Sequence, residues 1–144
     1  IVGLITLLAG QVFYFFMFNQ LLAISHPLVL LGFVLIGGLS FSMLGMSVAF
    51  WAKTYDQMSA VSSFVLTPLI YLGGVFFSLQ NLHPFWKTLS KFNPLLYLIN
   101  GVRHGVLGLS DVTVLHASLV SLVTLAVFYI IAHVSLNRAS FAKW

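Results

Sequence analysis

The placement of charge constrains this chain more than any other feature of its sequence. Its six Lys/Arg and two Asp/Glu residues fall in three groups: Lys53 with Asp56, then Lys87, Lys91, Arg103 and Asp111, then Arg138 and Lys143. Between the groups run stretches with no formal charge, residues 1–52, 57–86 and 112–137. A helix needs about 20 apolar residues to cross a hydrocarbon core about 30 Å thick, so these gaps hold two, one and one crossings. Only 6% of the residues are charged and 60% are hydrophobic, whereas a soluble domain carries about a quarter of its residues as Asp, Glu, Lys and Arg. The expected fold class is an all-α integral membrane protein forming a single transmembrane domain. Its four transmembrane helices fall at 1–22, 28–51, 57–77 and 113–136, and an external amphipathic or re-entrant helix pair at 84–108.

The same numbers exclude several functions. The net charge of +4 is spread over separated clusters and makes no basic stripe, so nucleic acid is not an expected partner and the lipid bilayer is. The chain has no cysteine, which removes disulfides and thiolate metal sites. It opens on Ile1-Val2-Gly3 with no Met and no basic flank, and is expected to be the C-terminal part of a longer protein.

The first two spans form a hairpin about Ser25-His26-Pro27, where Pro27 biases its predecessor away from helix. In the first, Gln11 is an amide at membrane depth, and with Tyr14 it makes a candidate pathway lining; the alternative is an amide that bonds a neighbouring helix. The second places Gly38, Ser42, Gly45 and Ala49 on one face, a small-residue stripe of the kind that allows close helix packing in lipid. The third carries Ser59, Ser63 and Thr67 on one side, also candidate pathway residues, and has Pro68 in its interior. Pro68 removes a backbone donor and frees the carbonyl of Phe64, so a kink is expected there, with Gly73 and Gly74 loosening the helix one turn later.

Residues 78–110 differ from the rest in being amphipathic. After Pro84, Phe85, Leu89 and Phe92 share one face and Lys87 and Lys91 another, the pattern of a helix lying at the interface. After Pro94 a second helix, about 13 residues and about 20 Å long, is too short to cross. Its polar stripe of Asn93, Tyr97, Asn100 and His104, with Arg103 beside it, is expected to face outer water or to line a cavity within the protein.

No catalytic constellation is present. The two carboxylates stand in loops on opposite faces, and the sequence contains neither a nucleophile elbow nor a zinc-protease helix motif. None of the five histidines belongs to a ligand motif such as His-x-x-x-His, which disfavours a metal or haem site. There is no glycine-rich phosphate loop, so energy for any transport must come from a partner or a gradient. The lack of an intramembrane carboxylate or charged pair counts against ion coupling.

The order of these features resembles the permease subunit of ABC-2 type exporters, a bacterial family of drug, lipo-oligosaccharide and polysaccharide export permeases. The residues that carry the resemblance are Thr67-Pro68-Leu69-Ile70-Tyr71-Leu72-Gly73-Gly74-Val75-Phe76-Phe77, Leu82-His83-Pro84, and Asn93-Pro94-Leu95-Leu96-Tyr97 with Gly101-Val102-Arg103 and Gly108. The resemblance implies that the chain corresponds to the last four of six membrane helices in a bacterial inner membrane. It further implies that residues 78–110 are external half-helices and that the tail from Asn137 is cytoplasmic. The partners it implies are a second permease copy and a cytoplasmic ATP-binding subunit; no cofactor is expected in this chain, ATP being held by that subunit. Charge alone leaves the orientation tied, with Lys53, Arg138 and Lys143 on one side and Lys87, Lys91 and Arg103 on the other. Two other classes stay open on the residues: a non-transporting membrane anchor or assembly subunit, and a haem-carrying membrane subunit.

Overall fold

A computed structural model describes residues 2–75 and 83–141, and every regular element in them is a helix. In chain order they are α1 (Val2–Phe18), α2 (Pro27–Trp51), α3 (Tyr55–Val61), a π-helical turn (Ser62–Leu66), α4 (Thr67–Leu72), α5 (Pro84–Lys91), α6 (Pro94–Leu107) and α7 (Val114–Phe141). The expected end of the third span at residues 76–77 and residues 142–144 of the tail lie outside the described residues; the tail expected from Asn137 begins instead as helix, since α7 continues to Phe141.

Among the described residues two helices are long and apolar enough to cross a bilayer, Pro27–Trp51 and Val114–Asn137. Only 17% of the apolar window of each is buried. Leu28 is 83% exposed, Phe16 82% and Leu115 75%. Apolar side chains presented outward all round a helix suit hydrocarbon, whereas the core helix of a soluble domain buries its apolar stripe.

Helices α2, α6 and α7 pack on one another and form the core of the chain. Phe33 of α2, Leu95, Leu96, Tyr97 and Leu98 of α6, and Ala117 of α7 are the buried centre. Helix α6 runs antiparallel to α2: a Cβ at Gly105 would meet the backbone of Leu30 at 2.7 Å, one at Gly101 would fall on the Phe33 ring, and one at Gly37 would touch Leu98. Two glycines four residues apart let the helices come this close. The buried hydroxyls of Ser40 and Ser47 donate to the carbonyls four residues back, Ile36 at 2.7 Å and Met43 at 2.8 Å, so these polar groups enter the core already satisfied.

The small-residue stripe of α2 has a different surrounding. Gly38, Ser42, Gly45 and Ala49 are all exposed, and space is open beside Gly38 and Gly45. The face of α2 that meets α6 and α7 is the one carrying Leu30, Phe33, Ser40 and Ser47.

Helix α1 ends at Phe18, where Asn19 takes a left-handed conformation (φ 53°) and its N–H donates to the Phe15 carbonyl at 2.8 Å. The end falls four residues before the position expected from hydropathy. An asparagine tolerates that conformation at a helix terminus better than most residues. No helix of the core packs extensively against α1 among the described residues.

Helix α3 starts at Tyr55 because Thr54 caps it, its hydroxyl accepting from the Gln57 N–H at 3.4 Å while the Gln57 side chain accepts from the Lys53 N–H at 2.8 Å. This is a variant of the reciprocal capping box. The expected interruption near Pro68 takes the form of a π turn: the Thr67 N–H reaches back to Ser62 O, and the Thr67 hydroxyl donates to the same carbonyl at 3.1 Å. Widening the turn by one residue absorbs the defect before a proline that cannot donate. Gly73 and Gly74 then end α4 rather than loosen it, Gly74 with φ 78°.

Candidate functional site

Helices α5 and α6 form a bent pair whose junction, at Phe92 and Pro94, lines one cavity together with Val123, Thr124 and Val127 of α7. Those positions are about 10 residues into α7, or about 15 Å along its axis. Both helices open with proline, and both have an N-cap that accepts from the second residue on: His83 Nδ1 from Phe85 N–H at 3.4 Å, and Asn93 Oδ1 from Leu95 N–H at 3.0 Å. Proline at the first helical position costs no hydrogen bond because that N–H is unpaired in any helix.

The polar stripe of α6 does not face outer water. Asn93, Tyr97 and Asn100 are 4%, 7% and 1% exposed, and each is bonded to a different stretch of chain. Asn93 Nδ2 donates to Leu69 O of α4 at 2.6 Å. The Tyr97 hydroxyl donates to Lys91 O at 2.8 Å, closing the bend between α5 and α6. Asn100 Nδ2 donates to Leu96 O at 2.9 Å, while its Oδ1 accepts from the Asp111 N–H at 2.8 Å. Arg103 completes the group: Nη1 pairs with Asp111 Oδ2 at 3.0 Å and Nη2 donates to Gly74 O at 2.6 Å. This is the one ion pair among the described residues, with the two side chains 24% and 9% exposed. A partly buried guanidinium pinned by a carboxylate and a carbonyl fixes two loops at once, and charge-assisted bonds of this kind are about twice as strong as neutral ones.

The C-terminal end of α6 is tied to the start of α2. Ser25 and His26 N–H groups donate to Val106 O at 3.2 Å and Gly105 O at 2.9 Å, and the Ser25 hydroxyl reaches Val106 O at 3.3 Å. The His26 and His104 rings stack with centroids 4.9 Å apart and 10° between planes. Gly108 ends the helix in the left-handed region (φ 72°), its N–H donating to His104 O at 2.9 Å. The loop after it turns back, so that Asp111 returns beside Asn100 and Arg103. Stacked rings held parallel do not present converging nitrogens, and no group of three or more His, Cys, Asp or Glu suited to a metal ion occurs among the described residues.

The expected pathway residues are not brought together with this cluster. The Gln11 side chain bonds both backbone groups of Leu22, donating to its carbonyl at 2.8 Å and accepting from its N–H at 3.0 Å, so it folds the chain after α1 back on the helix. Tyr14 packs its ring on Phe18, centroids 4.7 Å apart. Ser59 is half-buried and Ser63 and Thr67 are exposed along α3, the π turn and α4. Gly101 and Gly105, which set the closest helix approach in the chain, carry a small-xxx-small spacing that is visible in the sequence but was not singled out as packing.

A helical core with lipid-facing sides, tied through a short buried polar helix rather than organised around a catalytic or metal centre, defines a polytopic membrane protein. The family model described as ABC-2 type transporter matches residues 1–107, and the chain belongs to that family. It is 47% identical over 98 residues to the inner membrane transport permease YadH of Escherichia coli (strain K12), covering 68% of this chain and 38% of the relative. It is 33% identical over 95 residues to nodulation protein J of Neorhizobium galegae, covering 65% of this chain and 36% of the relative, and 33% identical over 91 residues to that of Rhizobium leguminosarum bv. viciae. The chain thus spans less than two fifths of the length of these relatives. No solved structure matches it.

Proposed function

We propose that this chain is the C-terminal part of the permease of an ATP-driven exporter in a bacterial inner membrane, moving a drug-like, lipid or glycolipid/polysaccharide substrate outward while a separate subunit hydrolyses ATP. The observation that carries the reading is the family match across 1–107, in a sequence with no phosphate-binding loop of its own. The name of the E. coli relative, an inner membrane transport permease, supports both the location and the role.

In this reading α1, with 17 residues, and the helix through α3, the π turn and α4 cross the bilayer beside α2 and α7, which gives four spans. Seventeen residues lie at the short end of what crosses a bilayer. The α5–α6 pair enters and leaves from one side. A second permease copy pairs with this one, the ATP-binding subunit docks on the side of the Lys53 loop, and Gln11, Tyr14, Ser59, Ser63 and Thr67 contribute to the substrate route.

The test is co-purification of the full-length protein with an ATPase encoded beside it, followed by cysteine crosslinking across the Lys53 loop with and without ATP. The reading expects a stable complex and a nucleotide-dependent change in crosslinking. A permease that never holds an ATPase, or whose crosslinks ignore nucleotide, would instead be the anchor or assembly subunit.

A further inference from the structure

On the α5 side of α7 two cavities adjoin, sharing Lys91 and Tyr97. The first, of about 450 Å³, carries the charged and polar side chains Lys87, Lys91, Asp111, Thr113 and His116 on its walls, beside Val112. The second, of about 350 Å³, is an apolar trough along α7 past Val120, Val123, Val127 and Phe128, floored by Phe92 and Pro94. From Val120 to Phe128 the trough runs eight residues, about 12 Å of helix axis.

The charge of the first cavity is unbalanced. The whole chain has two carboxylates; Asp56 lies in the first turn of α3, and Asp111 is engaged by Arg103. Three cations at this end of the molecule, Arg103, Lys87 and Lys91, therefore face a single carboxylate. Lys87 and Lys91 also stand one helical turn apart on the same helix, where like charges repel. Lys91 lines both cavities, and a lysine can cover apolar surface with its methylenes while its ammonium stays among polar groups.

A net positive cavity that opens directly into an apolar trough on a lipid-facing helix matches an anionic amphiphile in charge and in shape. We propose that the α5–α7 cleft binds an anionic phospholipid, its phosphate between Lys87, Lys91 and His116 and one acyl chain in the trough past Val123 and Val127. The bound headgroup replaces the missing countercharge and fastens α5 to the first turn of α7. The site would serve an anchor subunit as well as an exporter, so it does not rest on the transport reading.

The experiment uses the full-length protein, purified and exchanged into detergent with phosphatidylglycerol or phosphatidylcholine of the same acyl chains, with bound lipid counted by native mass spectrometry. The expected result is at least tenfold higher retention of phosphatidylglycerol, lost in Lys87→Gln/Lys91→Gln, kept in Lys87→Arg/Lys91→Arg and kept in Lys53→Gln, which removes a cation elsewhere. Filling the trough with Val123→Trp should lower retention of both lipids while the protein stays monodisperse. Equal retention of the two lipids overturns the proposal, as does selectivity that survives the double Gln variant. Inorganic phosphate protecting the protein from heat as well as phosphatidylglycerol does would reduce the site to an anion site. A Val123→Cys crosslink to a second copy that forms equally with phosphatidylglycerol present would give the trough to a partner subunit.

Discussion

Helix α6 and the helix through α3, the π turn and α4 are both short on charge and both marked by proline, yet they dispose of their polar groups in opposite ways. In α6 the side chains of Asn93, Asn100 and Arg103 reach across to backbone or charge on other segments: Leu69, Asp111 and Gly74. In the other helix two threonine hydroxyls turn inward on their own segment, Thr54 to Gln57 and Thr67 to Ser62. Long-range bonds between part-buried groups couple elements and are costly to break. Local ones leave an element free to shift as a unit. The contrast separates a frame, α2–α6–α7, from an element hung on it at Leu69 and Gly74, and it locates where a conformational change is cheapest.

The contrast is broken most severely at Gly105. Gly105→Val puts side-chain atoms into the Leu30 backbone, which has no rotamer to yield, and should cost more than about 3 kcal/mol; the full-length protein should lose its monodisperse peak in size-exclusion chromatography. Next in size, Arg103→Met removes the ion pair with Asp111 and the bond to Gly74 O, at a cost on the order of 2 kcal/mol because a quarter of the Arg103 side chain is exposed. Arg103→Met/Asp111→Asn should recover about half of that loss in thermal unfolding. If the double variant is worse than the single one, the pair is not the tie assumed here.

Smaller still, Pro68→Ala supplies an N–H and should leave stability within about 1 kcal/mol, in keeping with a helix whose strain is locally absorbed. A Tm drop as large as that of Arg103→Met would mean that this helix belongs to the frame. Last, Gly38→Ala and Gly45→Ala meet nothing within 4 Å in this chain and should raise stability by up to about 1 kcal/mol through helix propensity. A loss in the full-length protein would identify that stripe as covered by a neighbouring helix.

Much of this was readable beforehand. The charge gaps gave α2 and α7, and the i, i+4, i+7, i+11 rhythm of Asn93, Tyr97, Asn100 and His104 marked α6 as a helix with a polar stripe. What the stripe bonds to was not readable, because Leu69, Gly74 and Lys91 offer backbone carbonyls, which every residue has. For the same reason Gln11 stood out as a polar residue at depth without any sign that Leu22 folds back to meet it. The small stripe on α2 showed that close packing is permitted there. Permission belongs to the sequence, but which of several small faces is used depends on the bulk of Phe33 and on the gap that Gly101 and Gly105 leave for it.

The π turn at residues 62–66 has an angular consequence. In an α-helix each residue advances the azimuth by about 100°, so one inserted residue swings everything beyond it by about that amount. The phase of α4, and with it the direction in which the carbonyls of Leu69 and Gly74 point, is therefore set upstream by Ser62 and Thr67. Deleting a single residue from 62–66 would leave hydropathy unchanged and rotate both acceptors away from Asn93 and Arg103, so the spare residue acts as the vernier that aligns the hung helix with its frame.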